Sequence, residues 1–221
     1  VYIPPAPSDA GSSHGAALAL WHMGFGNKKR YEITETFLGP GFDEAYIENF
    51  LKEANIKYTR LSENDLIKKV AKLIWENNVI GWFQGRMEWG PRALGARSVL
   101  SSPHYVKLKD KLNLRLKQME WFMPFAPSML LEDAHRYIKN PSESPYMIMA
   151  YDVHPHARDE IAATVHGDDT VRPQTVTKKQ NPLYYDLIKE YEKMTGTASV
   201  LNTSFNRHGL PIVCTPEDAV Q

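Results

Sequence analysis

Apolar residues recur every three or four positions in three segments of the chain, which is the spacing of one face of an amphipathic helix. The segments are residues 43–54, 62–74 and 181–195. Each opens on an N-cap residue type (aspartate, serine or asparagine), and Gly196 suits the C-terminal cap of the third. The pattern therefore predicts three helices. We expect a further, tightly packed helix in the small-residue segment 8–20.

Three short runs of β-branched and aromatic residues have the length of strands rather than of helices. They are Val79–Phe83, Tyr146–Tyr151 and Ala198–Leu201, and the first and last lead directly into polar loops. The polar segment 26–41 has no periodicity and is typical of a linker. Because strands and helices are interleaved, we predict an α/β or α+β fold with a twisted mixed sheet flanked by helices.

Composition narrows the classes of protein to consider. The chain has 221 residues, 43% hydrophobic and 24% charged, which is typical of a globular protein with a core. Lys+Arg and Asp+Glu both number 26, so the chain lacks the basic field that drives nucleic-acid binding. A single cysteine, Cys214, excludes an internal disulfide and a thiolate-rich zinc site. No apolar stretch has membrane-spanning length, and we expect a cytoplasmic protein.

The two ends of the sequence favour a piece of a longer protein. The chain opens on Val1 without an initiator methionine. It closes shortly after Thr215 and Pro216, an N-cap and a first helical residue that predict the start of a helix.

The densest group of chemically active side chains follows the first predicted strand. Residues 85–98 hold three glycines together with Arg86, Arg92 and Arg97. Glycine lets backbone N–H groups approach a ligand, and the planar guanidinium group matches phosphate or carboxylate oxygens. The segment therefore favours a site for a compact polyanion over a solvated turn in which the arginines pair with acids such as Glu88. Its spacing is neither that of a Walker A loop nor that of a dinucleotide fingerprint.

Other polar segments are weaker candidates. Asn202–Asn206 places hydroxyl and carboxamide groups after a strand, a common ligand position, although an Asx or Ser/Thr turn explains them slightly better on sequence alone. His166–Gln174 gathers a histidine, two carboxylates and Arg172, where an ordinary loop is the default. Lys117 precedes the apolar segment 121–127, which would desolvate its ammonium group and strengthen its hold on an anion.

Four segments together resemble the C-terminal part of NodU/CmcH-type O-carbamoyltransferases. They are Gly81–Gly95, Pro124–Ser128, Arg172–Val176 and Asn202–Asn206, in the order that this family has them. The likeness extends over most of residues 60–221.

The resemblance implies a domain organisation. Residues 61–221 would form a YrdC-like α/β domain, truncated at its C-terminus. Residues 1–25 would be the closing segment of an actin-like domain, and residues 26–60 a linker with a helix.

The resemblance also implies an enzyme, a carbamoyltransferase. Its YrdC-like domain would take carbamoyl phosphate and ATP, with Mg²⁺ accompanying the nucleotide, and form carbamoyl adenylate. Its actin-like domain would pass the carbamoyl group to a hydroxyl of a small-molecule or saccharide acceptor, near an iron-type metal. Asp9 matches a ligand of that metal, whereas the histidine ligands would precede residue 1. We therefore expect residues 1–221 to lack a complete metal site and to be unable to finish the transfer alone.

Such a reaction needs cations, because carbamoyl phosphate and a nucleotide triphosphate repel each other until positioned charges offset them. We expect Arg92 and Lys117 to be catalytic. The expected ligand-binding set consists of these two residues together with seven others: Arg86, Arg97, His166, Arg172, Asn202, Ser204 and Asn206.

The chain departs from the family pattern at three positions. Met119 and Met123 stand where the family has cations, and Leu210 where it has glutamate. These changes leave open a different ligand or affinity, and they favour one alternative, a non-catalytic anion-binding domain. A second alternative is a YrdC-like module that binds double-stranded RNA, against which the zero net charge argues. The sequence identifies neither the acceptor nor the oligomeric state.

Overall fold

The computed structural model of the protein describes residues 3–30, 33, 35–107, 112–113, 117 and 124–221. The helices that lie wholly within these ranges are α1 Ser12–Ala19, α2 Glu44–Glu53, α3 Glu63–Trp75, α4 Pro182–Thr195 and α5 Pro216–Val220. The strands are β1 Ile80–Phe83, β2 Arg97–Ser101, β3 Ala126–Leu130, β4 Tyr151–Asp152, β5 Thr170–Val171, β6 Gln174–Val176 and β7 Ser199–Ser204. No helix of the described residues combines the length and the apolar character needed to cross a bilayer.

Five of the described strands form a mixed sheet in the order β1-β2-β7-β3-β6. All neighbours in it are antiparallel except β3 and β6, which run parallel with Ser128 opposite Gln174. The short strands β4 and β5 pair separately as an antiparallel ribbon. The prediction of an α/β class with a mixed sheet is confirmed.

Alternation along the central strands sends neighbouring side chains into two cores, because successive residues of a strand point to opposite faces. Leu100 and Val200 join the larger core, formed with the buried sides of α3 and α4. Val99 and Leu201 point the other way and pack with Phe125 and its neighbours in a smaller core. The sheet is therefore buried on both faces around β2 and β7.

The predicted caps determine where the helices begin. The Asp43 carboxylate accepts the Tyr46 N–H at 2.7 Å, and the Ser62 hydroxyl accepts the Asp65 N–H at 3.2 Å. The Asn181 side chain accepts the Tyr184 N–H at 3.2 Å, and Gly196 ends α4 in the left-handed conformation with φ of 80°. These helices and the helix that begins at Pro216 are confirmed.

Three local predictions need correction. Segment 8–20 does form a helix, α1, but none of its residues is buried, so it is not tightly packed. Of the segment Tyr146–Tyr151 only Tyr151 enters a strand, and Met147 adopts a positive φ of 55°, which an extended strand excludes. Strand β7 continues through Ser204, so the Asn202–Ser204 part is strand and not a turn. Its ladder with β2 supplies the hydrogen bonds that a local turn would otherwise have made.

Gly95 lies directly against the ring of Tyr184, where α4 meets the loop that precedes β2. The Gly95 backbone has φ of 98°, and a Cβ atom there would stand 2.3 Å from Cδ1 of Tyr184. Tyr184 is fully buried and cannot move aside. This position therefore accepts only glycine, both for its backbone conformation and for the space available.

We expect Gly95→Ala to lower the free energy of unfolding by about 2–4 kcal/mol, because the variant combines backbone strain with overpacking. Urea denaturation followed by tryptophan fluorescence measures the change. Gly167→Ala is the matched control, because no heavy atom lies within 4 Å of a Cβ there. Equal stability of the two variants would contradict the account of this contact.

Candidate functional site

The loop between β1 and β2 is organised around a buried carboxylate. Glu88 is 5% exposed, and its Oε1 accepts the backbone N–H groups of Leu94 and Ala96 at 2.7 Å and of Arg97 at 3.1 Å. A carboxylate that accepts several N–H groups fixes the backbone that surrounds it, since charge-assisted hydrogen bonds are the stronger ones. Glu88 therefore holds the loop in one conformation through hydrogen bonds within the loop itself.

The same loop is also held from the sheet side, through three consecutive carbonyl groups. Asn202 Nδ2 donates to the Ala93 carbonyl at 3.0 Å, and Gln174 Nε2 donates to the Leu94 carbonyl at 2.8 Å. Trp82 Nε1 donates to the Gly95 carbonyl at 3.0 Å. Arg92 directly precedes these three residues, so its side chain leaves a fixed turn.

Arg92 and Arg172 form the centre of the candidate site. Both are half-buried, and among the described residues neither makes an ion pair with an acid. Burial lowers the pKa of Arg92, and burial together with the positive charge of Arg92 lowers the pKa of Arg172 to about 10. Nε of Arg172 is buried without a hydrogen-bond partner. We refer to these two residues as the arginine pair.

The arginine pair is electrostatically unfavourable as it stands. Two guanidinium groups repel each other, and partial burial removes part of the water that would screen them. An anion between them would offset both costs and accept from the unused Nε. The arrangement therefore suits an oxyanion such as a phosphate, which a planar guanidinium binds through two oxygens.

A third cation lies at the end of β7. Lys117 is 4% exposed, and its Nζ donates to the Ser204 hydroxyl at 3.0 Å and to Oδ1 of Asn206 at 2.6 Å. The backbone carbonyls of both residues also lie within hydrogen-bond distance, so four acceptors surround the three N–H donors of Lys117. Burial lowers the pKa of Lys117 from 10.5 to about 8. The structure thus brings together three of the predicted site residues, and Asn202 lies two positions earlier on the same face of the strand.

Arg97 occupies a different environment from the arginine pair. It is fully buried, and its guanidinium group donates to the carbonyls of Gln84 at 2.8 Å, Gly85 at 3.2 Å and Cys214 at 3.3 Å, among others. It also lies over the Phe83 ring, 3.5 Å from its centroid. Backbone carbonyls occupy its donors, so Arg97 crosslinks the loop to its neighbours and presents no free edge to a ligand.

Arg86 and His166 are also held by local contacts. Arg86 is exposed and donates to the carbonyls of Leu38 at 2.6 Å and Gly39 at 2.9 Å, which ties segment 38–41 to the loop. The His166 Nδ1 atom lies 3.0 Å from the Thr170 hydroxyl, inside the turn that leads into β5. Arg86 therefore supports the framework of the loop, and His166 takes part in the turn before β5.

The remaining positions to place are Asp9, the predicted metal ligand, and the three positions that depart from the family pattern. Asp9 is exposed in a short 3-10 turn, Ser8–Gly11, and no group of three potential metal ligands occurs among the described residues. A metal-binding role of Asp9 stays a prediction. Leu210 is 57% exposed, and Met119 and Met123 lie outside the described residues.

A shallow depression lies beside the loop, lined in part by Leu94 and Gln174. Its other walls include Phe37, Tyr146 and Asn181, and no lysine, arginine or histidine lines it. We place the candidate site at the arginine pair because the depression offers an anion no positive charge.

Sequence reasoning missed Glu88 and Gln174, which hold the loop that carries Arg92, and it missed Ser128, which packs with Gln174 in the sheet. Gln174 and Ser128 are buried and hydrogen-bonded to each other at 2.7 Å. The available signal for Gln174 and Ser128 was their position as polar residues within strand-like segments. A polar side chain among core residues needs a specific partner.

Comparison with known proteins identifies the family. Residues 71–221 match the family described as carbamoyltransferase C-terminus. The chain is 38% identical to the nodulation protein NolNO of Sinorhizobium fredii over all of its own length and 33% of that protein. It is 39% identical to an uncharacterised protein of Synechocystis, covering 99% of this chain and 40% of the relative. The chain thus spans less than half the length of these relatives.

The fold has a counterpart among solved structures. The crystal structure of full-length HypF in its phosphate- and nucleotide-bound form matches 75% of this chain and 20% of HypF, with a TM-score of 0.51 and 18% identity. This likeness supports the YrdC-like fold. The family match, which covers more than half of the chain, together with the motifs that first suggested it, establishes that the protein belongs to the carbamoyltransferase C-terminus family.

Proposed function

We propose that this domain binds carbamoyl phosphate and ATP and forms carbamoyl adenylate. The observation that carries the proposal is the arginine pair: two half-buried guanidinium groups with no acidic partner among the described residues, one of them with a buried, unused Nε donor. HypF, which shares the fold, was solved with phosphate and nucleotide bound, which agrees with the proposal. Mg²⁺ would accompany the nucleotide.

The proposed chemistry involves two phosphoryl-containing substrates and releases two products. Water cleaves carbamoyl phosphate to carbamate and inorganic phosphate. A carbamate oxygen then attacks the α-phosphorus of ATP, forming the new P–O bond as the bond to pyrophosphate breaks. The second step brings the carbamate anion against the negatively charged triphosphate, so the protein contributes by orientation and by offsetting charge.

The described residues suggest a division of roles. Arg92 and Arg172 hold a phosphate between their planar groups, and the rigid turn beneath Arg92 keeps its direction constant. Lys117, with Ser204 and Asn206, supplies a compact charge at the end of β7. Asn202 and Arg97 support the loop from buried positions.

The activity of the whole protein goes further than these residues. We propose that a longer protein transfers the carbamoyl group to a hydroxyl acceptor, with residues 1–25 belonging to the domain that performs the transfer. Asp9 would be a metal ligand there. The described residues provide no set of ligands that would hold the metal, so no step is assigned to it.

The proposal is tested by supplying carbamoyl phosphate and ATP and measuring pyrophosphate release, with calorimetry for the binding of each ligand. We expect Arg92→Ala to weaken binding of at least one ligand about tenfold or more, because it removes a bidentate cation. Arg60→Ala is the control, because it removes an exposed arginine that pairs with Glu44 and Glu48.

Unchanged affinity for both ligands in Arg92→Ala would refute the site. Binding of both ligands without any pyrophosphate release by the complete protein would instead support a non-catalytic anion-binding domain.

A second prediction concerns the protein without ligand. Because the two arginines repel each other, Arg172→Ala should raise the midpoint of thermal unfolding of the ligand-free protein. The same variant should lose the stabilisation that carbamoyl phosphate gives the wild type. Thermal scans with and without ligand measure both effects. A lowered midpoint without ligand would show that Arg172 serves packing rather than binding.

Because the pKa of Lys117 is lowered, we expect pH to have opposite effects on stability and on ligand binding. Its pKa is about 8 in the folded protein and near 10.5 when unfolded. Below about pH 8 both states carry the charge and folding bears the full cost of burying it. Between about pH 8 and pH 10.5 Lys117 is mostly neutral in the folded protein but still protonated in the unfolded chain. The free energy of unfolding of the wild type, compared with that of Lys117→Met, therefore rises with pH in this range.

Binding should change in the other direction, because the neutral amine no longer attracts phosphate. Relative to Lys117→Met, wild-type affinity for ATP should fall as the pH rises through about 8. Urea denaturation and calorimetry at about pH 7 and about pH 9 measure the two trends. Parallel pH profiles of wild type and variant would exclude a charged role for Lys117.

A further inference from the structure

A buried glutamine, Gln174, connects the two chain segments that contain Arg92 and Arg172. Gln174 opens β6 and is 5% exposed. Its Nε2 donates to the Leu94 carbonyl at 2.8 Å, across the gap between β6 and the loop before β2. Arg92 lies two residues before Leu94, and Arg172 lies two residues before Gln174. This hydrogen bond links the two guanidinium-bearing segments directly, and Asn202, which donates to Ala93 and to Oε1 of Gln174, links them indirectly.

The residues between this hydrogen bond and the two arginines have little conformational freedom. On one side the Ala93 carbonyl is fixed by Asn202, and on the other Pro173 is buried, with φ restricted by its ring. The Gln174 Oε1 atom accepts from the Ser128 hydroxyl at 2.7 Å and from Asn202 at 3.2 Å, which leaves Nε2 directed at the loop. The amide orientation is thus determined by its neighbours in the sheet.

We propose that Gln174 is a positioning residue, which sets the separation and the relative direction of Arg92 and Arg172 and thereby their grip on one phosphate group. The inference rests on the proposed anion binding by the arginine pair, but it does not require the adenylating chemistry. Gln174 reaches no ligand itself. Its effect passes through the Leu94 carbonyl to the turn that carries Arg92.

A structural role alone would not distinguish Gln174 from Ser128, its partner in the same buried network. Ser128→Ala removes the bonds that this hydroxyl makes with Oε1 of Gln174 and with Nδ2 of Asn202, but it leaves the bonds from Gln174 Nε2 to Leu94 and from Asn202 to Ala93. Gln174→Met introduces a side chain of similar length that has no N–H donor, so the bond to Leu94 is lost. The pair of variants therefore separates support of the loop from general polar packing.

The experiment measures binding of inorganic phosphate and of pyrophosphate by calorimetry, well below the unfolding temperature of each variant. We expect Gln174→Met to weaken binding about tenfold and Ser128→Ala by less than about twofold, even where both lower the midpoint of unfolding. Gln174→Asn, whose shorter amide does not reach Leu94, should resemble Gln174→Met and serves if that variant fails to fold.

An Arg92→Lys background adds a readout that lost stability would not produce. A lysine is a flexible point charge that needs no fixed direction, so Gln174→Met should cost less than about twofold there. An equal loss in both backgrounds, or an equal loss from Ser128→Ala, would overturn the role of Gln174. Wild-type protein that binds neither anion would overturn it as well, whereas anion binding without pyrophosphate release would refute only the proposed chemistry.

Discussion

The site depends on the fixation of one turn from both sides. Glu88 gathers three backbone N–H groups from within the loop, while Asn202, Gln174 and Trp82 take the carbonyls of residues 93–95 from the sheet. Without these partners the buried peptide groups would each carry a desolvation cost of about 1–3 kcal/mol. The network therefore stabilises one conformation of a segment that contains three glycines, and it gives Arg92 a fixed origin.

That rigidity holds Arg92 and Arg172 in place although neither pairs with an acid among the described residues. A flexible loop would let the guanidinium groups separate and regain water, whereas the anchored turn keeps the burial and the repulsion that together lower the pKa of Arg172. The fold thus retains an unfavourable interaction in the absence of ligand, and binding of an anion removes it. Residues 97 and 86 show the contrast, because their guanidinium groups are used by backbone carbonyls and contribute to the framework.

The three arginines of residues 85–98 illustrate how far sequence reasoning could go. Their density indicated an anion site, but the sequence assigned the same role to Arg86, Arg92 and Arg97. Only Arg92 reaches the candidate site, because Arg97 begins β2 and points into the interior, while Arg86 turns back to segment 38–41. Its partner, Arg172, comes from a position 80 residues away in the sequence, and no local pattern links the two.

Local signals determined the helix starts at Asp43, Ser62, Asn181 and Thr215, since a cap involves residues only three positions apart. The sequence also determined the α/β class and, through four ordered motifs, the family. The tertiary structure alone decided which polar residues share a site. The order β1-β2-β7-β3-β6 places Asn202, Ser128 and Gln174 on adjacent strands, and such pairing depends on the packing of the whole sheet rather than on spacing along the chain.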